Sequence, residues 1–251
     1  MTAIVSILFH NYYGQHHRWA EFFCQKLKVP FDLYYNFVGD SIYNIDTSLS
    51  DLNDIRQNIN SPFLNEINFR RASNKGKDIG GKLILLDACL RNSTNSEFII
   101  FLHDKKSPYK VHNREWEQRL YRIIEPDFVE KTLAIFEENP KTGIVASQGT
   151  LQNEYDYNKN SFISNNRKEL NQLKEVYNIT ITDHRYVAGT MFWVRTLPLL
   201  TFFRKHVPLD IRKRLEEGNV LDEEYGTYTH SWERMLSWII SNQGYDLKEL
   251  P

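Results

Sequence analysis

The sequence predicts an α/β fold, in which helices flank a mostly parallel sheet within a single domain. Short apolar runs, typical of strands covered on both faces, alternate through the first half of the chain with apolar residues at helical spacing. Short connections between such elements favour right-handed crossovers, which make successive strands parallel. The 251 residues contain no repeat, low-complexity tract or linker, so we expect one domain over 1–251.

In the first half, apolar runs predict strands at 3–9, 31–38, 67–71 and 98–102. One helix ends before Pro30 and a second begins at Ile79, while the polar segment 41–62 predicts a loop with a short helix. In the second half, helices are predicted at 114–124, 126–138, 170–176, 197–206, 208–217 and 229–242. Strands are predicted at 143–146 and 186–194, with a loop at 151–166.

Composition excludes several classes of partner. A formal net charge of −1 and the lack of a polybasic run argue against nucleic acid and against an electrostatic membrane anchor. No apolar stretch approaches the ~18–20 residues of a transmembrane helix, and no secretory signal is visible. We therefore expect a cytoplasmic protein that reaches the inner membrane face only through partners. Cys24 and Cys89 lack metal-ligand spacing and predict reduced, buried thiols.

The first polar cluster follows the strand at 67–71. In an open parallel sheet, ligands bind outside the carboxyl ends of the strands. Gly76 permits a tight turn, Asp78 is predicted as the N-cap of the next helix, and Gly80 and Gly81 occupy its first turn, where free N–H groups favour an anion. Helix capping alone explains Asp78 equally well. It explains the glycine pair less well, because each glycine costs a helix about 1 kcal/mol.

The second cluster, His103-Asp104-Lys105-Lys106, directly follows the most apolar strand. Two lysines at the central edge of the sheet would neutralise a diphosphate, and Asp104 would bind ribose, a sugar hydroxyl or a divalent cation. Charges at a strand end also serve solubility alone, but the central position of this strand favours a ligand site.

The third cluster lies on the last predicted helix. His230, Glu233 and Ser237 share one face at i, i+3 and i+7, beside an apolar face that contains Trp232 and Leu236. A carboxylate beside the core would be partly desolvated, which suits a general base. A solvated glutamate on an amphipathic helix fits the spacing equally well.

The order of these features resembles that in GT-A glycosyltransferases, and more narrowly the rhamnan synthesis F family of polysaccharide biosynthesis proteins. The shared features follow the expected order over nearly the whole chain: Phe9-His10, Phe31-Asp32-Leu33-Tyr34, Asn74-x-Gly76-x-Asp78-x-Gly80-Gly81-Lys82, Leu102-His103-x-Lys105-Lys106-Ser107, Ala188-Gly189-Thr190-Met191-Phe192-Trp193 and His230-x-x-Glu233-Arg234. The resemblance implies a GT-A-like, Rossmann-type domain, with a nucleotide-binding half at 1–110 and a sugar and acceptor half at 111–251.

The implied activity is transfer of a sugar, often rhamnose, from a nucleotide-diphosphate sugar (dTDP, UDP or GDP type) to a saccharide or lipid-linked saccharide of a growing cell-surface polysaccharide. Glu233 is the implied catalytic base, with Asp104 as the alternative. The implied sugar and acceptor pocket contains Gly189, Thr190, Trp193 and His230. The implied donor-binding residues are His10, Asn74, Gly76, Asp78, Gly80, Gly81, His103, Lys105 and Lys106.

One departure from the wider superfamily concerns the metal. Where that superfamily carries an Asp-x-Asp motif, this chain has His103-Asp104-Lys105. A single carboxylate is a poor all-protein magnesium site. We therefore predict that no metal cofactor is required and that Lys105 and Lys106 stabilise the leaving diphosphate, with Asp104 as the ligand should Mg²⁺ or Mn²⁺ bind.

Two other readings stay open. A catalytically degenerate GT-A module would act as a scaffold that binds a glycan or nucleotide-sugar. A nucleotidyltransferase would need a longer glycine-rich segment with a basic residue after the first strand, where this chain has residues 10–14. The sequence decides neither the donor sugar nor the linkage, nor whether the reaction inverts or retains configuration.

Overall fold

The computed structural model describes residues 3–58, 61–105, 112–221 and 225–251. Lys106, one of the predicted donor-binding residues, lies outside these ranges. None of the helices in the described ranges combines the length and apolar character needed to cross a bilayer. The strands are β1 (Val5–Asn11), β2 (Phe31–Val38), β3 (Leu64–Ala72), β4 (Phe98–His103), β5 (Thr142–Ser147), β6 (Leu151–Asn153), β7 (Tyr155–Asp156), β8 (Ser161–Phe162), β9 (Arg185–Val187), β10 (Phe192–Arg195) and β11 (Asp246–Leu250).

Helices connect these strands and cover both faces of the sheet. They are α1 (His16–Lys26), α2 (Leu49–Asn58), α3 (Lys77–Arg91), α4 (His112–Tyr121), α5 (Pro126–Glu138), α6 (Arg167–Val176), α7 (Thr196–Lys205), α8 (Pro208–Lys213) and α9 (Tyr228–Ser241), with a 3₁₀ turn at Arg122–Ile124.

The central sheet has seven strands in the order β11-β5-β10-β4-β1-β2-β3. Among the described strands of this sheet, the pairs β1–β2, β2–β3, β1–β4 and β5–β11 are parallel, and β10 alone pairs antiparallel, with β4 and β5. The predicted α/β class is therefore confirmed: the chain forms one domain with a mostly parallel, GT-A-like sheet of Rossmann type. Because β1 and β4 are central neighbours, their carboxyl ends deliver His10 and His103 side by side.

Two apolar clusters, one on each face of the sheet, hold the domain together. Alternate residues of each strand point to opposite faces, so Leu8 and Phe101 join the cluster under α3 and α9, whereas Phe9 and Leu102 join the cluster under α1 and α5. These strand residues are fully buried, which agrees with the prediction that continuous apolar runs form strands covered on both faces.

The predicted strand at 186–194 is wrong in its continuity. The segment divides into β9, which pairs with β6 outside the main sheet, and β10, which lies within it. Between them Gly189 and Thr190 both adopt left-handed backbone conformations, with φ of 78° and 52°. A strand cannot continue through two such residues, and a β-branched residue in this region is strained. The chain therefore turns sharply at this point.

The predicted N-cap at Asp78 is also wrong. Helix α3 begins at Lys77, and its N-cap is Gly76, whose φ of 74° is left-handed. A Cβ on Gly76 would lie 2.2 Å from the Leu215 side chain, so glycine is needed both for the turn and for the close approach. Asp78 is thereby free to make long-range contacts instead of capping the helix.

Other boundaries shift less. The helix predicted at 114–124 ends at Tyr121 and is followed by the 3₁₀ turn, and the helix predicted at 208–217 ends at Lys213. The loop predicted at 151–166 contains the short strands β6, β7 and β8, and the edge strand β11 had no prediction. The short helix expected within 41–62 is present as α2.

Candidate active site

Two adjoining cavities open at the carboxyl ends of β1 and β4, and together they form the cleft. The β1 pocket, of about 220 Å³, is lined by four residues that both pockets share and by His10, Tyr12, Tyr13, Asn74, Asp104 and Asn219. The α9 pocket, of about 340 Å³, is also lined by Ile79, Trp116, Gln152, Tyr186, Ala188, Gly189, Thr190, Thr229, His230 and Glu233. Both pockets share Lys77, Asp78, His103 and Lys105. The three predicted clusters therefore meet in one cleft.

Asp104 secures the loop that follows β1. Its Oδ1 accepts the N–H of Tyr12 at 2.7 Å and its Oδ2 accepts the N–H of Tyr13 at 2.6 Å, while the residue as a whole is 5% exposed. Both carboxylate oxygens are thus engaged by backbone amides. The described ranges contain no group of three or more His, Cys, Asp or Glu residues that could hold a metal ion.

Tyr121, which the sequence reasoning missed, fixes the end of β4. Its hydroxyl donates to the carbonyl of His103 at 2.8 Å and accepts the N–H of Lys105 at 3.1 Å. The Lys105 ammonium lies 5.7 Å from the ring centroid of Trp116 and forms no ion pair with the described residues. Burial lowers the pKa of Lys105, with a smaller opposing effect of Asp78 and Glu233. Lys105 is therefore a cation of the cleft that the described protein does not neutralise by direct contact.

A buried lysine, which the sequence reasoning did not place in the site, lies at the centre of the cleft floor. The side chain of Lys82 on α3 is 1% exposed, and its ammonium donates to Asp78 Oδ2 at 2.9 Å. It also donates to His103 Nδ1 at 3.1 Å and to the hydroxyl of Thr190. The Thr190 hydroxyl in turn donates to Asp78 Oδ2 at 2.6 Å. We call these four residues the Lys82 cluster.

The charges of the Lys82 cluster follow from these contacts. Burial alone would raise the pKa of Asp78, but the Lys82 ammonium and the hydroxyl of Thr190 outweigh burial and hold that pKa well below its ordinary value. Burial, followed by the Lys82 charge, holds the pKa of His103 well below its ordinary value. Burial also lowers the pKa of Lys82, and the Asp78 carboxylate opposes this effect. With that carboxylate 2.9 Å away, we assign the cluster one carboxylate, one ammonium and a neutral imidazole.

His10 is a second buried, neutral imidazole in the β1 pocket. Burial is the main cause that lowers its pKa to about 4. Its Nδ1 lies 2.9 Å from the side-chain nitrogen of Asn36. A Cβ on Gly81 would lie 1.9 Å from the same Nδ1 atom, so the ring of His10 rests directly on helix α3 at this glycine.

The glycine pair was predicted to offer free amides to an anion, and for Gly80 this is wrong. The N–H of Gly80 donates to the carbonyl of Gly76 at 2.8 Å, and a Cβ on Gly80 would lie 1.7 Å from the carbonyl oxygen of Lys75. Gly80 and Gly81 are therefore needed for close packing of α3 against its neighbours. This accounts for the helix-propensity cost that the sequence left unexplained.

Glu233 holds the strained turn between β9 and β10. Its Oε1 accepts the N–H of Gly189 at 2.7 Å, and its Oε2 accepts from Arg234 at 2.7 Å. Arg234 is shared with the buried Glu154, whose Oε2 lies 2.8 Å away. The Glu233 side chain is 19% exposed and borders the α9 pocket, so it remains accessible to a ligand.

The remaining predicted residues divide between cleft and core. His230 borders the α9 pocket, and Asn74 borders the β1 pocket, where its amide donates to Asn219 at 3.1 Å. Trp193 was predicted to line the sugar pocket, and this is wrong: it is fully buried on β10, and its indole N–H donates to the carbonyl of Ile123 at 2.8 Å. Ser237 does not border the cleft; its hydroxyl accepts a hydrogen bond from the N–H of Val187.

The Lys82 cluster had one visible signal in the sequence. Asp78 and Lys82 are four residues apart, which is the spacing of an ion pair on a helix. That spacing alone predicts a solvent-exposed pair. In the structure Lys82 is buried and also donates to the hydroxyl of Thr190, 108 residues away in the chain, and only the tertiary structure brings the two together.

Comparison with known proteins places this cleft in a family. A search of curated proteins found no match. The family model described as rhamnan synthesis protein F matches residues 2–245, which is nearly the whole chain and includes every residue named above for the cleft. The chain belongs to the rhamnan synthesis protein F family, which is named for the synthesis of a polysaccharide.

Proposed function

We propose that the protein is a glycosyltransferase, which moves a sugar from a nucleotide-diphosphate donor to a growing polysaccharide of the rhamnan type. The observation that carries this proposal is the pair of lysines, Lys77 and Lys105, at the junction of two pockets on the carboxyl edge of the sheet. A donor of this kind has a nucleoside on one side of its diphosphate and a sugar on the other. Two joined pockets with cations at the junction match that shape and charge.

The β1 pocket is the proposed site for the nucleoside diphosphate. Both oxygens of Asp104 accept backbone N–H groups, and Oδ2 of Asp78 accepts from Lys82 and Thr190, so among these four carboxylate oxygens only Oδ1 of Asp78 has no hydrogen bond within the described part of the chain. The groups left for a ligand are chiefly donors, which suits phosphate oxygens. Lys105 would stabilise the negative charge that develops on the departing diphosphate, without a protein-bound metal. Lys106 belongs to the same proposal by sequence, although it lies outside the described residues.

The α9 pocket is the proposed site for the transferred sugar and the acceptor. Glu233, an anion on its wall, is the proposed base that accepts the proton of the acceptor hydroxyl as this oxygen attacks the anomeric carbon. Gly189 and Arg234 hold the carboxylate in place through their hydrogen bonds. Asp104 is the weaker candidate, because it borders only the β1 pocket, whereas Glu233 borders the α9 pocket proposed for the acceptor.

The proposal is tested by turnover of dTDP-, UDP- and GDP-sugars, measured as release of the nucleoside diphosphate with and without a saccharide acceptor. We expect one donor class to react in the presence of EDTA. Lys105→Met should lower turnover by about tenfold or more, whereas Lys168→Met, at an exposed lysine outside the cleft, should not. If EDTA abolished the reaction and Mn²⁺ restored it, the metal-free mechanism would be wrong.

The proposed base has its own control. Glu233→Gln should lower turnover strongly and leave donor binding nearly unchanged. Glu154→Gln removes the other carboxylate that binds Arg234 but does not border the cleft, so it should lower stability rather than turnover of the folded protein. Equal losses of turnover in both variants would mean that Glu233 acts by positioning Arg234. Tight donor binding without any turnover would favour the scaffold reading over the enzyme.

A further inference from the structure

His103 occupies the junction between the two pockets. Its side chain is 11% exposed and borders both the β1 pocket and the α9 pocket. The ring nitrogen Nδ1 faces the interior, where the Lys82 ammonium lies 3.1 Å away. A lysine ammonium donates hydrogen bonds and accepts none. Nδ1 is therefore the acceptor, and in a neutral imidazole the hydrogen must then lie on Nε2.

The other contacts of Lys82 agree with this arrangement. An ammonium has three hydrogens, and Lys82 has three acceptors: Asp78 Oδ2, the Thr190 hydroxyl and His103 Nδ1. The Thr190 hydroxyl accepts a hydrogen bond from Lys82 and donates one to Asp78 Oδ2, so each hydrogen of this network has an acceptor. A hydrogen on Nδ1 would face an ammonium hydrogen. The neutral state of the ring agrees with the lowered pKa of His103, which burial and Lys82 cause.

The second ring nitrogen is available to a ligand. Within the described part of the chain, Nε2 of His103 makes no hydrogen bond, and this atom is not fully buried. It is therefore open to the cleft. The groups that share this junction are Lys77 and Lys105, both cationic, and Asp78, whose Oδ2 accepts from Lys82 and Thr190 and whose Oδ1 makes no hydrogen bond within the described part of the chain.

We propose that Lys82 is a positioning residue, which holds His103 in the Nε2–H tautomer so that His103 donates a hydrogen bond to a phosphate oxygen of the nucleotide-diphosphate donor. The ligand in this proposal rests on the proposed function, whereas the tautomer does not. Because the His103 ring is neutral, its Nε2–H group donates a hydrogen bond without adding a charge to the site. Lys82 thus orients His103 without touching the ligand itself.

Two substitutions at His103 separate the ligand role from the structural one. The side-chain amide of asparagine lies near the position of Nδ1, and that of glutamine reaches the position of Nε2. His103→Gln should therefore keep pyrophosphate and dTDP affinity within about threefold, while His103→Asn should lose about tenfold to a hundredfold, the value of one hydrogen bond to a charged group. If His103 served only as a partner for Lys82, asparagine would be the better tolerated substitution and this order would reverse.

The measurement is calorimetric titration of pyrophosphate and of dTDP in the presence of EDTA, with thermal unfolding of each variant to verify folding. Nitrogen-15 NMR of the histidine rings provides a second readout that needs no variant. In the wild-type protein at neutral pH, the His103 ring should show a protonated Nε2 and an unprotonated Nδ1, and the Nε2 signal should shift on addition of pyrophosphate. Lys82→Met should abolish this single tautomer.

A protonated Nδ1 in the wild-type protein, or tighter binding by His103→Asn than by His103→Gln, would overturn the proposal. Its failure is distinguishable from failure of the proposed function. If pyrophosphate bound with the expected order of variants but no nucleotide-sugar were turned over, the proposed role of His103 would stand and the proposed transferase activity would be refuted. Turnover with the reversed order would do the opposite.

Discussion

The ion pair between Asp78 and Lys82 should be strongly coupled, because it connects α3 to the strained turn before β10. Replacing Asp78 by asparagine keeps the shape but leaves a buried ammonium without its carboxylate. Loss of one partner from a buried pair costs about 3–5 kcal/mol of unfolding free energy. The Asp78 side chain is 23% exposed, against 1% for Lys82, so water partly compensates and we expect about 2–4 kcal/mol for Asp78→Asn.

The assay is urea unfolding at pH 7, followed by circular dichroism, for Asp78→Asn, Lys82→Met and the double variant. Because either single change strands the other group, the double variant should lose at least about 1 kcal/mol less than the sum of the two single losses. Asp87→Asn is the matched control: Asp87 pairs with Arg91 at the same i, i+4 spacing on the same helix, but Arg91 is 69% exposed. That substitution should cost less than about 1 kcal/mol. Equal costs for both aspartates, or additive losses at Asp78 and Lys82, would refute the reasoning.

Three further predictions concern stability. Burial lowers the pKa of His10 to about 4, so the unfolded chain binds a proton below pH ~6.5 that the folded state excludes. The resulting contribution to the unfolding free energy is complete above pH ~6.5 and is lost as the pH falls towards 4, by up to about 3 kcal/mol. His10→Gln should therefore make the unfolding free energy, measured by urea unfolding, depend less on pH. A slope unchanged in that variant would contradict this. Gly76→Ala, whose Cβ would meet Leu215 at 2.2 Å, should lower the thermal unfolding midpoint more than Gly218→Ala, where φ is also left-handed at 72° but no atom lies within 4 Å; equal shifts would mean that contact with Leu215 is unimportant. Thr190→Val should cost about 1–3 kcal/mol in urea unfolding because it strands Lys82 and Asp78, whereas Thr190→Ser should be nearly neutral, and similar losses would refute the hydroxyl's role.

The fold was predictable because its signals are local. Continuous apolar runs identify β1, β2 and β4 as strands covered on both faces, and helical spacing identifies the helices between them. The turn at Gly189 and Thr190 was not predictable from the same signal. An apolar run from 186 to 194 has the composition of one strand, and only the left-handed conformation of two consecutive residues divides it.

The site was predictable in its location but not in its contacts. Strand order brings the ends of β1 and β4 together, which is why His10 and His103 meet at one edge. Asp104 and Trp193 show the limit. Residue type gave Asp104 a ligand role, but its oxygens bind the amides of Tyr12 and Tyr13. The family resemblance implied a pocket role for Trp193, but the alternation of β10 turns its ring into the core.

In the proposed mechanism, protein cations and hydrogen-bond donors, without a protein-bound metal, hold the diphosphate at the junction of the two pockets. The most direct test is calorimetric titration of dTDP, UDP and GDP into the wild-type protein, Lys105→Met and Lys168→Met, all in the presence of EDTA. We expect at least one nucleotide to bind the wild-type protein and Lys168→Met alike, and Lys105→Met about tenfold more weakly. Binding that requires Mg²⁺ or Mn²⁺, or that is unchanged in Lys105→Met, would contradict the claim.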